Sequence, residues 1–455
     1  MIRANATWRL VAVAGAAGIV LAACGSDNGG STTGTATEPA ATGTPLYLVD
    51  GNLGNGPLGE LAPGTLEGVK GTLPGAQIDD ALKTRLNEVD PSLKKIGYSY
   101  SPESYDATIV TALAAQQANS DAGRDMAAEM QEVSANGTKC TTFAECNDLI
   151  KNGEDIDYDG VSGPIEFDSF GDPTSASIGI YQYDAQNTVP GYNADGEALS
   201  YIDDTVAPTE GTPPALTDTK NAGADGQLQI GGYLPLTGAL ASLGPPEVAA
   251  VELAISEIND EGGVLGKPIE WIPGDSSDSS NFEKGAQTIA SHIAKGVDAI
   301  VGAASSSVSL NTLKQVTDAG ILQISPANTS PDLTTAKDGG LYFRTAPADV
   351  LQGRILANLL LEDGHTNVAV LSLQDAYGEG LAKYTNIPFE EGGGTVVTEP
   401  DTVEKAIFYD PTAQSFSAEV TQVKALDPDA IVLIGFDESA KVVDELVKQG
   451  IGPNS

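Results

Sequence analysis

Basic residues are scarce in this chain, and histidine, cysteine, methionine and tryptophan are scarcer still. Lysine and arginine together number 23 against 63 acidic residues, which gives a formal net charge of −40. A surface of this sign repels polyanions, so binding to nucleic acid or to an anionic membrane surface is disfavoured. The hydrophobic content of 41% nevertheless supports packed cores, and a length of 455 residues is enough for about two or three domains.

Two histidines and three cysteines leave few ligands for a transition metal. His292 and His365 lie in unrelated segments, so a metal site built on Cys140 and Cys146 would lack its other ligands. In an oxidising compartment these two cysteines favour one local disulfide instead. The sequence also lacks a phosphate loop, a His-Glu-x-x-His pattern and a Gly-x-Ser-x-Gly pattern, so no enzyme class is indicated.

The N-terminal segment has the composition of an export signal. Two arginines accompany an apolar run at residues 10–21 that is too short to predict a membrane span. The run ends in Leu-Ala-Ala-Cys at Cys24, which resembles the bacterial lipobox, in which the cysteine is diacylated; a chance cysteine in a signal peptide is the alternative. Residues 1–24 are therefore interpreted as a lipoprotein signal peptide, and residues 25–44 as a flexible tether outside the cytoplasmic membrane.

A regular alternation of strand and helix patterns fills residues 227–455. Residues 299–331 are typical of one βαβ unit, whose small, hydroxyl-rich loops at residues 302–307 and 325–331 follow two parallel strands. Such loops meet at the carboxyl edge of a sheet, where open α/β sheets bind ligands. Residues 203–226 are rich in proline, threonine, aspartate and glycine and predict a linker. The alternation as a whole predicts doubly wound, mainly parallel sheets.

Four segments resemble the leucine/isoleucine/valine branch of the type I bacterial solute-binding proteins. They are Leu-Pro-Leu-Thr-Gly at 234–238, Ile-Asn-Asp-Glu-Gly-Gly-Val-Leu-Gly at 258–266, Ile-Ser-Pro-Ala-Asn-Thr at 324–329 and Asp-Ala-Tyr-Gly-Glu-Gly at 375–380. The family's segments stand here in exchanged order, because residues 227–455 resemble its N-terminal portion and residues 45–202 its C-terminal portion. The chain is therefore interpreted as circularly permuted, with residues 203–226 joining the family's original ends.

The resemblance implies an α/β fold of two lobes, each a mainly parallel doubly wound sheet, that close on a ligand in the cleft between them. The first lobe would consist mainly of residues 227–345 with a return from residues 99–153, and the second of residues 366–455 and 45–95. The implied protein is a monomeric, extracytoplasmic substrate-binding protein of an ABC importer, anchored to the membrane through Cys24. It would deliver a branched-chain amino acid or a similar small polar solute to ABC permease subunits, without a cofactor.

Two other functions stay open at this point. A ligand-sensing receptor could use the same fold, and a calcium-binding surface protein would use a different site. An enzyme is not expected, because no catalytic motif accompanies the resemblance.

Three of the implied ligand-binding residues lie in the first lobe. Ser306 and Thr329 match positions whose hydroxyl and backbone N–H groups hold the carboxylate of the ligand, and Ala327 matches a position whose carbonyl accepts from its ammonium group. Ser306 has a simpler alternative as the cap of the following helix.

Three more implied residues lie in the second lobe. Tyr377 matches an aromatic residue of the family, Phe436 falls near a tyrosine, and Asp50 falls within one residue of the acidic partner of the ammonium group. Tyr377 could instead belong to the core, and Asp50 could be a turn residue. Leu243 stands where relatives often have a bulky aromatic side chain, so the shape of the pocket differs there.

Asp155, Asp157, Asp159 and Glu166 match the spacing of an EF-hand calcium loop. However, a proline falls inside the motif, and the residues after it predict a strand where an EF-hand needs a helix. These four carboxylates are therefore candidate calcium ligands in a segment that we interpret as an ordinary turn, and no metal site is predicted.

Overall fold

The computed structural model describes residues 43–54, 56–192, 198–209, 211–216, 224–398 and 404–455. Its strands are β1 Leu46–Leu48, β2 Lys70–Pro74, β3 Thr138–Cys140, β4 Ile156–Gly160, β5 Gly163–Pro164, β6 Ser175–Gln182, β7 Ser200–Thr205, β8 Gln229–Tyr233, β9 Glu270–Ile272, β10 Ala299–Gly302, β11 Leu322–Ser325, β12 Tyr342–Arg344, β13 Asn367–Leu373, β14 Thr395–Val396, β15 Ile407–Tyr409 and β16 Ala430–Ile434.

The helices alternate with these strands. They are α1 Asp80–Val89, α2 Leu93–Ile96, α3 Ser101–Ala118, α4 Gly123–Glu129, α5 Phe143–Lys151, α6 Gly244–Asp260, α7 Phe282–Lys295, α8 Ser306–Asp318, α9 Asp349–Glu362, α10 Ala376–Glu391, α11 Ser417–Leu426 and α12 Ser439–Lys448. A short 3₁₀ helix spans Pro57–Glu60.

The first lobe is built on a parallel sheet in the order β12-β11-β10-β8-β9. Side chains of β10 alternate between two cores: Val301 packs with Ile230 and Ile324 on one face, and Ile300 packs with Tyr233 on the other. Because helices cover both faces of a parallel sheet, its strands carry continuous apolar runs, as β10 does.

The second lobe is built on a larger sheet in the order β14-β13-β16-β1-β2-β6-β7, with β15 also paired to β13. The strands from β14 to β2 run parallel, whereas β6 and β7 are antiparallel to their neighbours. β1 lies between β16 and β2, with Leu46 opposite Ile431 and Tyr47 opposite Lys70. β1, from near the start of the described residues, thus completes a sheet whose parallel strands come mostly from the last part of the chain.

Within the described residues the chain crosses between the lobes at residues 75–79, 168–174 and 345–348, and it crosses once more between β7 and β8. The prediction that all of residues 45–95 lie in the second lobe is wrong, because the chain enters the first lobe at the first crossing. Leu82 and Leu86 of α1 are buried in the core of the first lobe. The strand pattern ends with β2, and the apolar face of α1 packs on α6 of the first lobe.

A further boundary differs from the one predicted. β7 extends to Thr205, so the first residues of the predicted linker continue the second sheet by pairing with β6. α3 begins at Ser101, and Pro102 occupies its first turn, where a missing N–H costs nothing.

Among the described residues, no helix has both the length and the apolar composition needed to cross a membrane. The predicted signal peptide, Cys24 and most of the tether lie outside the described residues.

Candidate ligand-binding site

Two loops of the first lobe follow the neighbouring parallel strands β10 and β11 and meet at their carboxyl ends. The side-chain amide of Asn328 donates to the carbonyl of Ala304 over 2.8 Å. The hydroxyl of Ser306 accepts from the backbone N–H of Ser330 over 3.2 Å. These bonds cross from one loop to the other, and they hold Ser306 and the segment around Ala327 in fixed positions.

Helix α8 begins at Ser306, but its cap is the preceding residue. The hydroxyl of Ser305 accepts from the backbone N–H of Val308. The alternative that Ser306 serves as the helix cap is therefore wrong. The first turn of α8 places the positive end of the helix dipole at this loop, where an anion is stabilised.

The second lobe presents two stacked aromatic rings. Asp375 caps α10 by accepting from the backbone N–H groups of Tyr377 and Gly378 over 3.0 and 2.9 Å. The ring of Tyr377 stacks on Phe436, with centroids 5.5 Å apart and an interplanar angle of 10°. The hydroxyl of Tyr377 accepts from the backbone N–H of Gly51 over 3.2 Å. The cap thus fixes the start of the helix that aims Tyr377 at the loop after β1.

Asp50 lies in that loop and is 4% exposed. Its Oδ1 accepts from the hydroxyl of Tyr377 over 2.7 Å and from the side-chain amide of Gln352 over 2.9 Å. Its Oδ2 accepts from the hydroxyl of Tyr100 over 2.7 Å. Asp50 is therefore more than an exposed turn residue, because three buried side chains orient its carboxylate.

The charge of this carboxylate is only partly compensated. Burial raises the pKa of the Asp50 carboxyl above its usual value, and the hydrogen bonds from Tyr100, Tyr377 and Gln352 oppose that rise. Burial also raises the pKa of Asp349 well above its usual value, and the charge of Asp50 adds to the effect. None of the ion pairs in the described part of the chain includes Asp50. A positive group of a ligand would therefore be attracted here.

The two lobes enclose a small cavity at this point. It is lined by Asp50, Gly51, Tyr100, Leu240, Leu243, Ala304, Ser305, Ser306, Ala327, Tyr377 and Phe436. Five of the six predicted ligand-binding residues are in this lining, and the sixth, Thr329, is not. The cavity volume of about 20 Å³ is close to that of one water molecule, so any larger ligand could enter only if the lobes separated.

A family model described as "Periplasmic binding protein" matches residues 227–454, which are 228 of the 455 residues. The chain belongs to this family. A second model, described as "Receptor family ligand binding region", matches residues 73–186. The family membership and the two mainly parallel sheets confirm the predicted fold class. Both descriptions name binding proteins and not enzymes.

Curated relatives carry names of the same kind. A Leu/Ile/Val-binding protein of Rhizobium johnstonii is 30% identical over 216 residues, which are 47% of this chain and 56% of the relative. A Leu/Ile/Val-binding protein homologue of Brucella melitensis is 29% identical over 210 residues, which are 46% of this chain and 54% of the relative. The matched part of this chain thus spans little more than half the length of these relatives.

Solved structures give partial matches. A leucine-binding protein from Thermotoga maritima is 24% identical with a TM-score of 0.42, covering 49% of this chain and 61% of the other. An ABC transporter substrate-binding protein from Desulfitobacterium hafniense, in complex with Leu, is 28% identical with a TM-score of 0.38, covering 50% and 64%.

The side chains of Tyr100, Leu240 and Gln352, at the cavity or on Asp50, were not predicted from the sequence. Tyr100 precedes α3 and comes from a segment far from the recognised motifs. Leu240 lines the cavity wall, and Gln352 reaches Asp50 from α9. The signal available for Tyr100 was an aromatic residue immediately before a Ser-Pro helix start. Sequence spacing gives no such signal for Gln352, because the contact depends on how α9 packs against β2.

The candidate calcium ligands do not converge. Asp157 and Asp159 lie in β4, where both pair with Lys139 over 3.0 and 2.9 Å. Glu166 accepts from the hydroxyl of Thr174. Asp155 precedes β4, and across the described ranges no three carboxylate, histidine or cysteine groups are arranged to hold a metal ion. The segment forms strands and a turn, as its proline and its strand pattern predict.

Cys140 and Cys146 form a disulfide, as predicted, with their Cα atoms 5.3 Å apart. Both residues are buried in the core of the first lobe, and the bond joins β3 to α5. Neither cysteine lines the cavity, so we assign the disulfide a structural role and not a role in ligand binding.

A larger groove of about 690 Å³ lies elsewhere along the boundary between the lobes. Residues from both lobes and from residues 205–209 line it, including Phe170, Glu379 and Tyr384. None of the six predicted ligand-binding residues is in its lining. Its side chains are more open to solvent than those around Asp50, so size alone does not make it the better candidate site.

Proposed function

We propose that this protein is the extracytoplasmic substrate-binding component of an ABC importer and captures an amino acid between its lobes. One observation carries the proposal: the same cavity is lined by the Asp50 carboxylate and by Ser306 at the N-terminus of α8. A zwitterion needs an anion for its ammonium group and N–H donors for its carboxylate. These two ends of the cavity offer both.

The walls of the cavity favour an apolar side chain on the ligand. Leu240, Leu243 and Phe436 line it, and all three are buried. Water excluded by closure would strengthen the polar contacts at both ends, while the apolar walls would select an aliphatic group. The names of the relatives, which are Leu/Ile/Val-binding proteins, support a branched-chain amino acid or a similar small solute.

The proposal includes Thr329 as a residue that binds the carboxylate of the ligand, although Thr329 does not line the cavity. It is 1% exposed, and its carbonyl accepts from the backbone N–H of Asp349 over 2.8 Å. It lies in the loop that Ser306 and Asn328 hold in place, one residue beyond Asn328. Separation of the lobes would have to uncover it before a ligand could reach it.

The proposal includes a lipid anchor at Cys24 and delivery to ABC permease subunits, with the protein acting as a monomer. An apolar run followed by the lipobox-like Leu-Ala-Ala-Cys supports the anchor. Cys24→Ala is expected to move the expressed protein from the membrane fraction to the soluble extracytoplasmic fraction. If the wild-type protein is itself in the soluble fraction, the anchor is absent.

We further propose that the family's segments stand in circularly permuted order. The two family models match residues 227–454 and residues 73–186, and β1 lies between β16 and β2. Gly43 also lies so close to Gly452 that a Cβ on Gly43 would overlap the Gly452 carbonyl. These positions support a direct helix-to-strand connection from α12 to β1 in the ancestral order.

Thermal unfolding of residues 25–455 with a panel of amino acids, other small solutes and calcium tests the function. A ligand that binds only the native state stabilises it by about 2.7 kcal/mol at a hundredfold excess over Kd. We expect a shift with an aliphatic amino acid that is reduced in Ser306→Ala and in Asp50→Asn. A shift with calcium alone, or no shift with any amino acid, would contradict the proposal.

The alternative, a ligand-sensing receptor on the same fold, makes the same binding prediction. Uptake measurements separate the two: deletion of the gene is expected to reduce accumulation of the labelled ligand if the protein serves an importer. A sensing role predicts unchanged uptake and an altered response to the ligand.

A further inference from the structure

Arg344 is a fully buried arginine of the first lobe, beside the loop that follows β11. It ends β12, and its side chain is 0% exposed. Its Nε donates to Oδ1 of Asp172 and its Nη2 to Oδ2, both over 2.6 Å. This is the two-pronged pairing that a planar guanidinium makes with a carboxylate and that an ammonium group cannot reproduce.

The remaining donors of Arg344 reach the loop that carries Thr329. We call residues 326–331 the ligand loop. Nη1 donates to the carbonyls of Asn328 and Ser330 over 3.3 and 2.8 Å. These carbonyls belong to the residues on either side of Thr329. The guanidinium therefore fixes the backbone of the ligand loop at the position where a carboxylate-binding group is proposed.

The same residue also joins two crossings between the lobes. Arg344 stands immediately before the crossing at residues 345–348, and Asp172 lies within the crossing at residues 168–174. The backbone N–H of Arg344 donates to the carbonyl of Gly171 over 3.1 Å. The hydroxyl of Thr334 donates to Asp172 over 2.6 Å and accepts from Arg344 over 2.6 Å. Two crossings and the ligand loop are thus tied to one planar group.

We propose that Arg344 is a positioning residue that couples the ligand loop to the two crossings about which the lobes move. The inference rests on the proposed function, because it assigns a purpose to the loop in ligand binding. When the lobes close, a rigid link makes the loop move with the crossings, so Thr329 and its neighbours meet the ligand in one geometry. Without the link, the ligand loop adopts several positions. Closing the lobes on a ligand then has to select one of these positions, and this lowers the affinity for the ligand.

A purely stabilising role explains this arrangement less well. Burying an ion pair costs desolvation of both charges, and well-packed apolar residues of similar volume often serve stability equally well. An apolar pair in place of Arg344 and Asp172 could fill the volume, but it could not hold the carbonyls on both sides of Thr329. The hydrogen bonds that the guanidinium group makes to the ligand loop are therefore the feature that requires an arginine at position 344.

Arg344→Lys keeps the charge and removes the fork, and amide hydrogen exchange measured without ligand is its first readout. The amides of Asn328, Ser330 and Thr334 are hydrogen-bonded within or beside the ligand loop. We expect their exchange to quicken about tenfold or more, because charged hydrogen bonds to the loop are lost, while exchange in α12 of the second lobe stays unchanged.

Ligand affinity is the second readout. We expect the Kd of Arg344→Lys for the stabilising amino acid to rise about ten- to a hundredfold. Arg354→Lys is the matched control, since Arg354 is a partly exposed arginine paired with Asp204 over 3.0 Å and should change neither readout. If Arg344→Lys fails to fold, Thr334→Val removes one partner of the cluster and should give the same pattern at smaller size.

Two results would overturn the inference. Unchanged exchange in the ligand loop would mean that Arg344 does not position it, and a uniform rise across α3, α6 and the loop would mean that the residue acts only through stability. Failure of the wild-type protein to bind any amino acid would contradict the proposed function, while the exchange measurement, which needs no ligand, would still decide the role of Arg344.

Discussion

The hydroxyl of Tyr377 donates to Oδ1 of Asp50 over 2.7 Å, joining the first turn of α10 to the loop after β1. This bond orients the carboxylate and favours its ionised form, which is the form that an ammonium group binds. Tyr377→Phe should therefore weaken binding of an amino acid about tenfold, by titration calorimetry. Asp50→Asn should weaken it more, because the charge itself is lost.

Tyr409→Phe is the matched control for Tyr377→Phe. The hydroxyl of Tyr409 donates to the carboxylate of Glu438 over 2.9 Å in the same lobe, and Tyr409 is equally buried, but it does not line the cavity. Its loss should lower stability and leave Kd unchanged. Equal effects of the two variants on Kd would mean that Tyr377 acts through the stability of the lobe alone.

Part of this site was predictable because the rules involved are local. Ser306 and Ala327 follow strands whose apolar runs are plain in the sequence, and loops after parallel strands meet at one edge of the sheet. The individual residues Ser306, Ala327, Tyr377 and Phe436 were predicted from the family resemblance, Tyr377 with its Asp-x-Tyr-Gly motif and Phe436 only from its position near a tyrosine of the family. The alternative that Ser306 caps α8 failed because Ser305 offers the same side chain one position earlier, and periodicity does not place a helix start to one residue.

Other parts depend on tertiary packing that sequence spacing does not encode. Tyr100 reaches Asp50 from the position just before α3, and Gln352 reaches it from α9, which is far away in the chain. The amphipathic face of α1 fits either lobe, and only its packing on α6 places it in the first. Arg344 follows a short strand, and neither its burial nor its five donor contacts have a sequence signal.

The pH dependence of stability should be dominated by buried carboxyl groups with raised pKa. Burial raises the pKa of Glu103 to about 8, and the nearby Asp106 adds to the rise. A carboxyl whose folded pKa lies above its unfolded pKa stabilises the protein fully below the unfolded value, and this stabilisation is lost as the pH rises to 8. The free energy of unfolding should therefore fall between pH 5 and pH 8, by up to about 1.4 kcal/mol per pH unit for this group.

Glu103→Gln tests this assignment, because the amide does not ionise. Chemical unfolding at pH 5, 6.5 and 8 should show a shallower fall in stability than for the wild-type protein, and higher stability than wild type at pH 8. Glu252→Gln on the exposed face of α6 is the control and should follow the wild-type curve. A Glu103→Gln curve parallel to that of the wild type would show that other groups set the pH dependence.

The disulfide should contribute measurably to stability despite the short loop that it closes. Cys140 and Cys146 are six positions apart, and a loop of this size restricts the unfolded chain by about 2 kcal/mol in the chain-entropy model. Cys140→Ala with Cys146→Ala should lower the free energy of unfolding by this amount or more, since both sulfur atoms are also buried. Urea unfolding with and without reductant checks the origin of the loss: reductant should destabilise the wild-type protein and leave the double variant unchanged.

The position of β1 makes a prediction about chain order. Leu46 lies opposite Ile431 in adjacent parallel strands, and Asn454 donates to the carbonyls of Gly64 and Thr65. A chain that begins at residue 224, runs to 455, continues directly into 45 and ends at 216 keeps every strand pairing of both sheets. It should fold cooperatively and bind the same ligand, because α12 then leads to β1 through an ordinary helix-to-strand connection.

A second rearranged chain, opened between Ile300 and Val301 in the centre of β10, is the control for that experiment. Both residues are fully buried, and β10 pairs on both sides, so this cut breaks the core of the first lobe. Circular dichroism melts and ligand titration compare the two chains. If the chain that begins at residue 224 also fails to unfold cooperatively, the direct connection from α12 to β1 is not equivalent to a connection found in the family. The exchanged order of the segments would then have an origin other than circular permutation.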